Sequence, residues 1–179
     1  RRAIVWVFWI LHTLGASVES PCSAPTAEYL EAQLGNPVLL QDSTDYVNVV
    51  VFHPQGTLLA VGSQDKSVYV YHVGPHCNLT LVQRLLHPSR PVSAIGWTVA
   101  GDFLAVGSWD KHVYVYTVAG ERATLHQTLE LLQPVASLDF GTVGYLLIIG
   151  TWGGQVMLHG FRDGHATQRS VITEPPALP

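Results

Sequence analysis

Apolar residues along this chain gather in short runs of about six, each bounded by glycine, proline, aspartate or serine. Runs of that length, rich in valine and tyrosine, are strands rather than helices. Val47–Phe52 predicts an apolar strand and His53-Pro54-Gln55-Gly56 a turn. Leu58–Ser63 then reads as a buried strand, Gln64-Asp65-Lys66-Ser67 as a tight turn, and Val68–Val73 as a strand alternating valine with tyrosine. A fourth, outer strand fits Leu79–Leu86. The same order returns over Val92–Tyr116 with Thr124–Leu131 as its outer strand, and again over Val135–His159 with Thr167–Thr173. Gly62 matches Gly107, Asp65 matches Asp110 and Tyr71 matches Tyr116, each 45 positions apart. Gly107 and Trp109 match Gly150 and Trp152, 43 positions further on. Chance similarity does not hold register across three copies.

A period of roughly 40 to 45 residues made of short strands is the signature of the blades of a β-propeller. The expected architecture is all-β, with three four-stranded antiparallel blades at about residues 41–86, 87–131 and 132–173. An irregular segment over 1–40 precedes them and a proline-rich tail over 174–179 follows. Within the first segment Thr26–Leu34, stopped by Gly35-Asn36, reads as a short helix. A ring needs at least about four blades. Three copies therefore predict a partial propeller, completed by the rest of a longer chain or by a second chain, and marginal in isolation because of its open strand edges.

The pattern His-Pro-x-Gly-x-x-Leu-Ala-Val-Gly-Ser-x-Asp-Lys-x-Val-x-Val-Tyr resembles the WD-repeat family over about residues 40 to 170. In that family a hydrogen-bonded set pins each repeat: a histidine before the first strand, a hydroxyl on the second, an aspartate in the turn after it and a tryptophan on the third. The resemblance implies that Asp65 and Asp110 are the turn aspartates, Ser63 and Ser108 the hydroxyls and His87 the histidine, while Tyr71, Tyr116 and His159 fill the tryptophan position. The third copy carries Gly153 where the aspartate should be, so it is expected to rely on packing. The Leu-Ala-Val-Gly-Ser-x-Asp wording is most similar to the echinoderm-microtubule-associated-protein-like group, which implies tubulin or microtubule-associated complexes as partners and a cytoskeletal setting.

Composition narrows the function further. The chain of 179 residues is 47% hydrophobic and 12% charged, a globular balance. A net charge of −4 and no basic run longer than Arg1-Arg2 leave nucleic-acid binding without a footprint. Cys22 and Cys77 make neither a disulfide framework nor a CxxC motif, which favours a reducing cytosol. Against this, Arg1-Arg2, the apolar stretch Ala3–Leu11 and the small residues Gly15–Pro21 follow the order of a secretory signal, and Asn78-Leu79-Thr80 is a glycosylation sequon. A secreted or luminal binding module is thus the alternative to a cytoplasmic scaffold. The apolar stretch is too short to span a bilayer. The chain opens without methionine, which suggests a piece of a longer product.

No residue set points to catalysis. The serines and the nine histidines lack any Gly-x-Ser-x-Gly elbow, and His72, His76 and Cys77 lack a fourth metal ligand. No cofactor and no enzymatic activity are expected. Asp65 and Asp110 read first as caps of their own turns. Trp109 and Trp152 stand at equivalent turn-proximal positions where the first copy has Gln64. They are expected either to form a partner-facing patch with Gln64, Lys66, Lys111 and His112, or to pack between blades.

Overall fold

A computed structural model of the chain describes residues 39–75, 78–141, 146–162 and 165–173, with side chains described as far as residue 167. Of the segment expected over 1–40, only Leu39 and Leu40 fall within it. The short helix at Thr26–Leu34, the signal-like start, His76-Cys77 and the tail over 174–179 lie outside the described residues.

The described residues form three four-stranded antiparallel sheets. Blade one consists of β1 (Val47–Phe52), β2 (Leu58–Ser63), β3 (Val68–Val73) and β4 (Leu79–Leu85) in that spatial order. Blade two repeats it with β5 (Val92–Trp97), β6 (Phe103–Ser108), β7 (His112–Ala119) and β8 (Arg122–Glu130). Blade three follows with β9 (Val135–Phe140), β10 (Leu146–Thr151), β11 (Gln155–Arg162) and β12 (His165–Thr173). This is the all-β, bladed architecture that the repeat predicted. The outer strands of blades two and three start two residues earlier than the apolar pattern suggested, at Arg122 and His165. Polar residues there still pair, Ala119 with Arg122 and Arg162 with His165, so the hairpins run almost to their turns.

Register is repeated as faithfully as sequence. Each blade has an irregularity near the outer end of its first pair, between Val47 and Val49, Val92 and Ala94, and Gly150 and Thr151. A second falls in the outer pair, between Val70 and Tyr71, Val115 and Tyr116, and Leu158 and His159. Bulges of this kind bend a strand and re-aim the side chain of the extra residue. In blade two that extra residue is His126, between Leu125 and Gln127.

Because side chains alternate across a strand, the middle strands bury both faces. Leu58 and Ala60 of β2 pack toward blade two, and Leu59 and Val61 pack in a cluster on the opposite face with Tyr69, Tyr71 and Leu40. In β6, Leu104 and Val106 meet blade one while Ala105 meets blade three. Two apolar layers result, one in each joint between blades. Fully burying one valine, such as Val113 or Val115, stabilises by about 1.5–3 kcal/mol. Gly62 and Gly107 permit this spacing: a Cβ on them would run into Val92 and Val135 of the following blade. Glycine on these strands therefore reflects close approach of neighbouring sheets.

Polar side chains sew the joints in the same sense each time. Asn48 Nδ2 donates to Val92 O at 2.8 Å, and Ser93 Oγ at the equivalent place donates to Val135 O at 2.7 Å. Further out, the Gln83 amide both donates to Ala123 O (2.9 Å) and accepts from Ala123 N (2.8 Å). Gln127 does the same with Ala166, at 3.2 and 2.8 Å.

Candidate interaction surface

The turn between the second and third strands sets the geometry of one rim. In blade one, Asp65 Oδ1 accepts from Ser67 N at 3.0 Å, which caps its own turn. Its Oδ2 reaches across to the segment entering the blade, accepting from Thr44 N (2.9 Å) and Thr44 Oγ1 (3.1 Å), and from Tyr69 OH on β3 (2.8 Å). Blade two repeats the clamp. Asp110 Oδ2 accepts from Ser89 N at 2.7 Å, Ser89 Oγ at 3.2 Å and Tyr114 OH at 3.0 Å, and Oδ1 accepts from His112 N at 3.1 Å. Ser63 Oγ and Ser108 Oγ complete it, each accepting from the aspartate N–H and donating to a carbonyl of the entering segment, Tyr46 O or Arg90 O. Burial alone would raise both carboxyls. The donated hydrogen bonds outweigh it and hold Asp65 and Asp110 below the ordinary 3.8. Tyr69 and Tyr114 are pushed above 10.0 by burial and by the facing carboxylate. These aspartates are fixed acceptors, committed to structure.

The hydrogen-bonded set implied by the family pattern is divided here. His87 Nδ1 and Tyr116 OH share a hydrogen bond of 3.0 Å, apart from the Ser108–Asp110 clamp. Tyr71 OH donates to Asp42 Oδ2 at 3.0 Å instead of to a histidine. The tyrosine that reaches the aspartate is the one two residues nearer the turn, Tyr69 or Tyr114, because it lies on the same face of the strand one step closer. The signal was present as a tyrosine four residues after each turn aspartate, replaced by Met157 in the copy that lacks the aspartate.

Blade three closes its turn without the clamp. Thr151 Oγ1 lies 3.4 Å from Gln155 O and 3.3 Å from Gln155 N, and Gly154 N donates to Thr151 O at 3.1 Å. Leu132 stands where Thr44 and Ser89 offer hydroxyls and is 82% exposed, so acceptor and donor have been lost together. His159, at the Tyr116 position, is buried, and both its ring nitrogens lack a hydrogen-bond partner. Burial lowers its pKa from 6.5. Blade three thus lacks the side-chain network of the first two.

On this rim Trp109 and Trp152 meet edge to face, with ring centroids 6.3 Å apart and planes at 88°. They are 39% and 66% exposed. The indoles therefore touch across the joint between blades two and three while part of each ring stays exposed. Their backbones are held alike: Trp109 N donates to Pro91 O and Trp152 N to Pro134 O, both at 3.0 Å, as Gln64 N donates to Tyr46 O at 2.7 Å. Lys66 and Lys111 are exposed at the turn tips with φ of 71°, a left-handed backbone seldom used by lysine. Gln64 and His112 are half-buried and engaged locally. Gln64 Oε1 accepts from Asn48, and the His112 ring contacts Asp110 O at 2.9 Å.

The opposite rim carries a cleft of about 390 Å³ lined by His53, Gln55, Thr57, Asp102 and Glu121 among others. His53 is buried there as a lock between turns. Its Nε2 lies 3.1 Å from Gly101 O, its Nδ1 accepts from Gln55 N at 3.2 Å, and its ring meets Trp97 edge-on. His72 Nδ1 lies 2.8 Å from Glu121 Oε1 nearby, a contact between blades one and two. Among the described residues no group of three or more histidine, cysteine, aspartate or glutamate side chains is arranged to hold a metal, and no helix is long and apolar enough to cross a membrane.

Three four-stranded antiparallel sheets, two of them with this turn, are consistent with blades of a WD40-type propeller. Residues 37–72 and 79–117 match the model of the family described as "WD domain, G-beta repeat", which supports the WD-repeat assignment of the first two blades. No curated protein matches the chain. WD repeats generally mediate interactions between proteins.

Proposed function

We propose that the chain is a non-enzymatic scaffold that binds protein partners through the rim bearing Trp109 and Trp152. The exposed pair carries this reading. Tryptophan is enriched at binding hot spots, where large rings are desolvated against a partner, and two adjacent indoles on a rigid hairpin rim lose little side-chain freedom on docking. Lys66 and Lys111 are exposed cations at the turn tips of blades one and two. The wording of the repeat suggests tubulin or a microtubule-associated complex as the partner and the cytoplasm as the compartment. Further blades, from a longer chain or a second chain, would complete the ring; a monodisperse, monomeric and cooperatively folding product would refute the need for them.

Cosedimentation with polymerised tubulin tests the partner, and the W109A and W152A variants test the surface. Loss of binding at an unchanged Tm supports the rim. Lower Tm with undiminished binding would leave the tryptophans a packing role only, and no binding by the unmodified chain would remove the microtubule reading.

A luminal or secreted module is the second reading, favoured by one observation. Asn78, just before β4, and Thr80, at the start of β4, are both exposed. Expression through a eukaryotic secretory route should then give a glycan mass shift that N78Q abolishes; a chain that stays unglycosylated there counts against it.

A further inference from the structure

We propose that His126 and His165 form a two-imidazole site for a divalent transition metal of the zinc class, clamping blade three to blade two. The two rings lie on different blades with centroids 4.6 Å apart and planes at 49°. Imidazole nitrogens bind zinc at about 2.0–2.1 Å, which puts the centroids of two rings on one tetrahedral ion about 5 Å apart. The observed separation is about half an ångström shorter, a difference that rotation of two exposed side chains covers. Both histidines are exposed, so water can fill the remaining positions and an ion can enter from solvent.

Two repeated devices of the fold produce this meeting. The Gln127–Ala166 hydrogen-bond pair fixes the outer strands of blades two and three against each other, and His126 and His165 are the residues just before its two members. His126 is also the extra residue of the β8 bulge, whose side chain the bulge re-aims. The Phe103 ring, 6.1 Å from His126, walls one side. At the first joint the Gln83–Ala123 pair brings up Val82 and Arg122 instead, so the same device there offers no ligand. Arg162, opposite His165 in the β11–β12 register, is exposed and long enough to carry its charge into solvent. A clamp at this joint acts on the blade that lacks the aspartate. The inference does not depend on the partner-binding role of the other rim.

Thermal unfolding of the full chain with and without zinc chloride at pH 7.5 tests it, using H126Q, H165Q and, as a control at the first joint, H72Q. Zinc at about a hundredfold over its dissociation constant should raise Tm by about 5–10 °C in the unsubstituted chain and in H72Q. It should leave H126Q and H165Q unmoved. Cobalt chloride should broaden the imidazole proton resonances of two histidines first, and those two should be the ones missing from the variants' spectra. An equal Tm rise in all four proteins, no rise at millimolar zinc, or first broadening of other histidines would each overturn the site and leave the rings as a packing contact.

Discussion

Blades two and three share strand order and bulges, yet they hold their rim turns by different means. In blade two one carboxylate collects donors from the entering segment, the turn and the third strand, so three chain segments converge on Asp110. Blade three has Gly153, Leu132 and Met157 at the corresponding positions and closes the hairpin with hydrogen bonds inside the turn alone. The difference teaches that the clamp is a unit. Its acceptor and both side-chain donors vanish together, because a lone buried donor or acceptor costs more than none.

The largest expected effect comes from breaking the unit where it exists. Asp110→Ala should destabilise by about 3 kcal/mol, since it strands the Tyr114 hydroxyl and the turn N–H groups. Gly153→Ala at the matching position should cost about 1 kcal/mol, because a Cβ there presses first on the exposed Gln133 side chain, which must shift but faces solvent. Calorimetry of the two variants checks the contrast; equal losses would mean that the clamp carries no special weight.

Next in size is the joint between the two blades. Gly107→Ala forces a methyl into the β-branched Val135 and should cost about 2 kcal/mol, with faster hydrogen exchange in β9 and β10 than in β2 and β3. Uniform exchange across the blades would show that the joint yields without strain.

Rebuilding the clamp should help less than breaking it hurts. The triple change Leu132→Ser, Gly153→Asp and Met157→Tyr should gain about 1 kcal/mol, whereas Gly153→Asp alone should gain nothing, for want of hydroxyl donors. Denaturant midpoints of the single and triple variants decide whether the coupling is real.

The smallest effect separates the blades by pH. His159 has its folded pKa lowered below 6.5 by burial, so its stabilising contribution is complete above about 6.5 and declines as pH falls through the folded value. Asp65 and Asp110 have folded values below 3.8, so theirs persists to lower pH and is lost only as pH falls through those values. Acid should therefore loosen blade three first. Hydrogen exchange between pH 7 and 5 should show increased opening confined to β10 and β11, and His159→Phe should abolish it; an unchanged profile in that variant would place the proton elsewhere.

Much of this was legible in the chain because a repeat displays its strands three times. The strand boundaries followed from valine and tyrosine runs between turn residues, and Asp65 and Asp110 stood out by spacing. Two kinds of information were hidden. The partners of the aspartates, Thr44 and Ser89, keep the 45-residue offset of the repeat, but they lie in irregular segments before the first strands, where a lone hydroxyl residue does not announce what it bonds. Asn48, Ser93, Gln83 and Gln127 look like ordinary polar residues of half-exposed strands; only the stacking of sheets reveals what they touch. The indoles were legible as a pair of equivalent positions, but a linear sequence does not distinguish an exposed stack from a buried one.

The glutamine and asparagine links carry one more implication, concerning polarity of assembly. Each sends a side chain from one blade to the backbone of the next in chain order, never the reverse, so the two joints are head-to-tail contacts between unlike surfaces. Such contacts close into a ring or run on as an open array, and do not form a symmetrical pair about a twofold axis. At the place of Gln83 and Gln127 blade three has Ser170, and at the place of Ala123 and Ala166 blade one has Leu79. A neighbour joining at either end would thus meet a fastener different from the two already in use, so the two ends of the array are distinguishable.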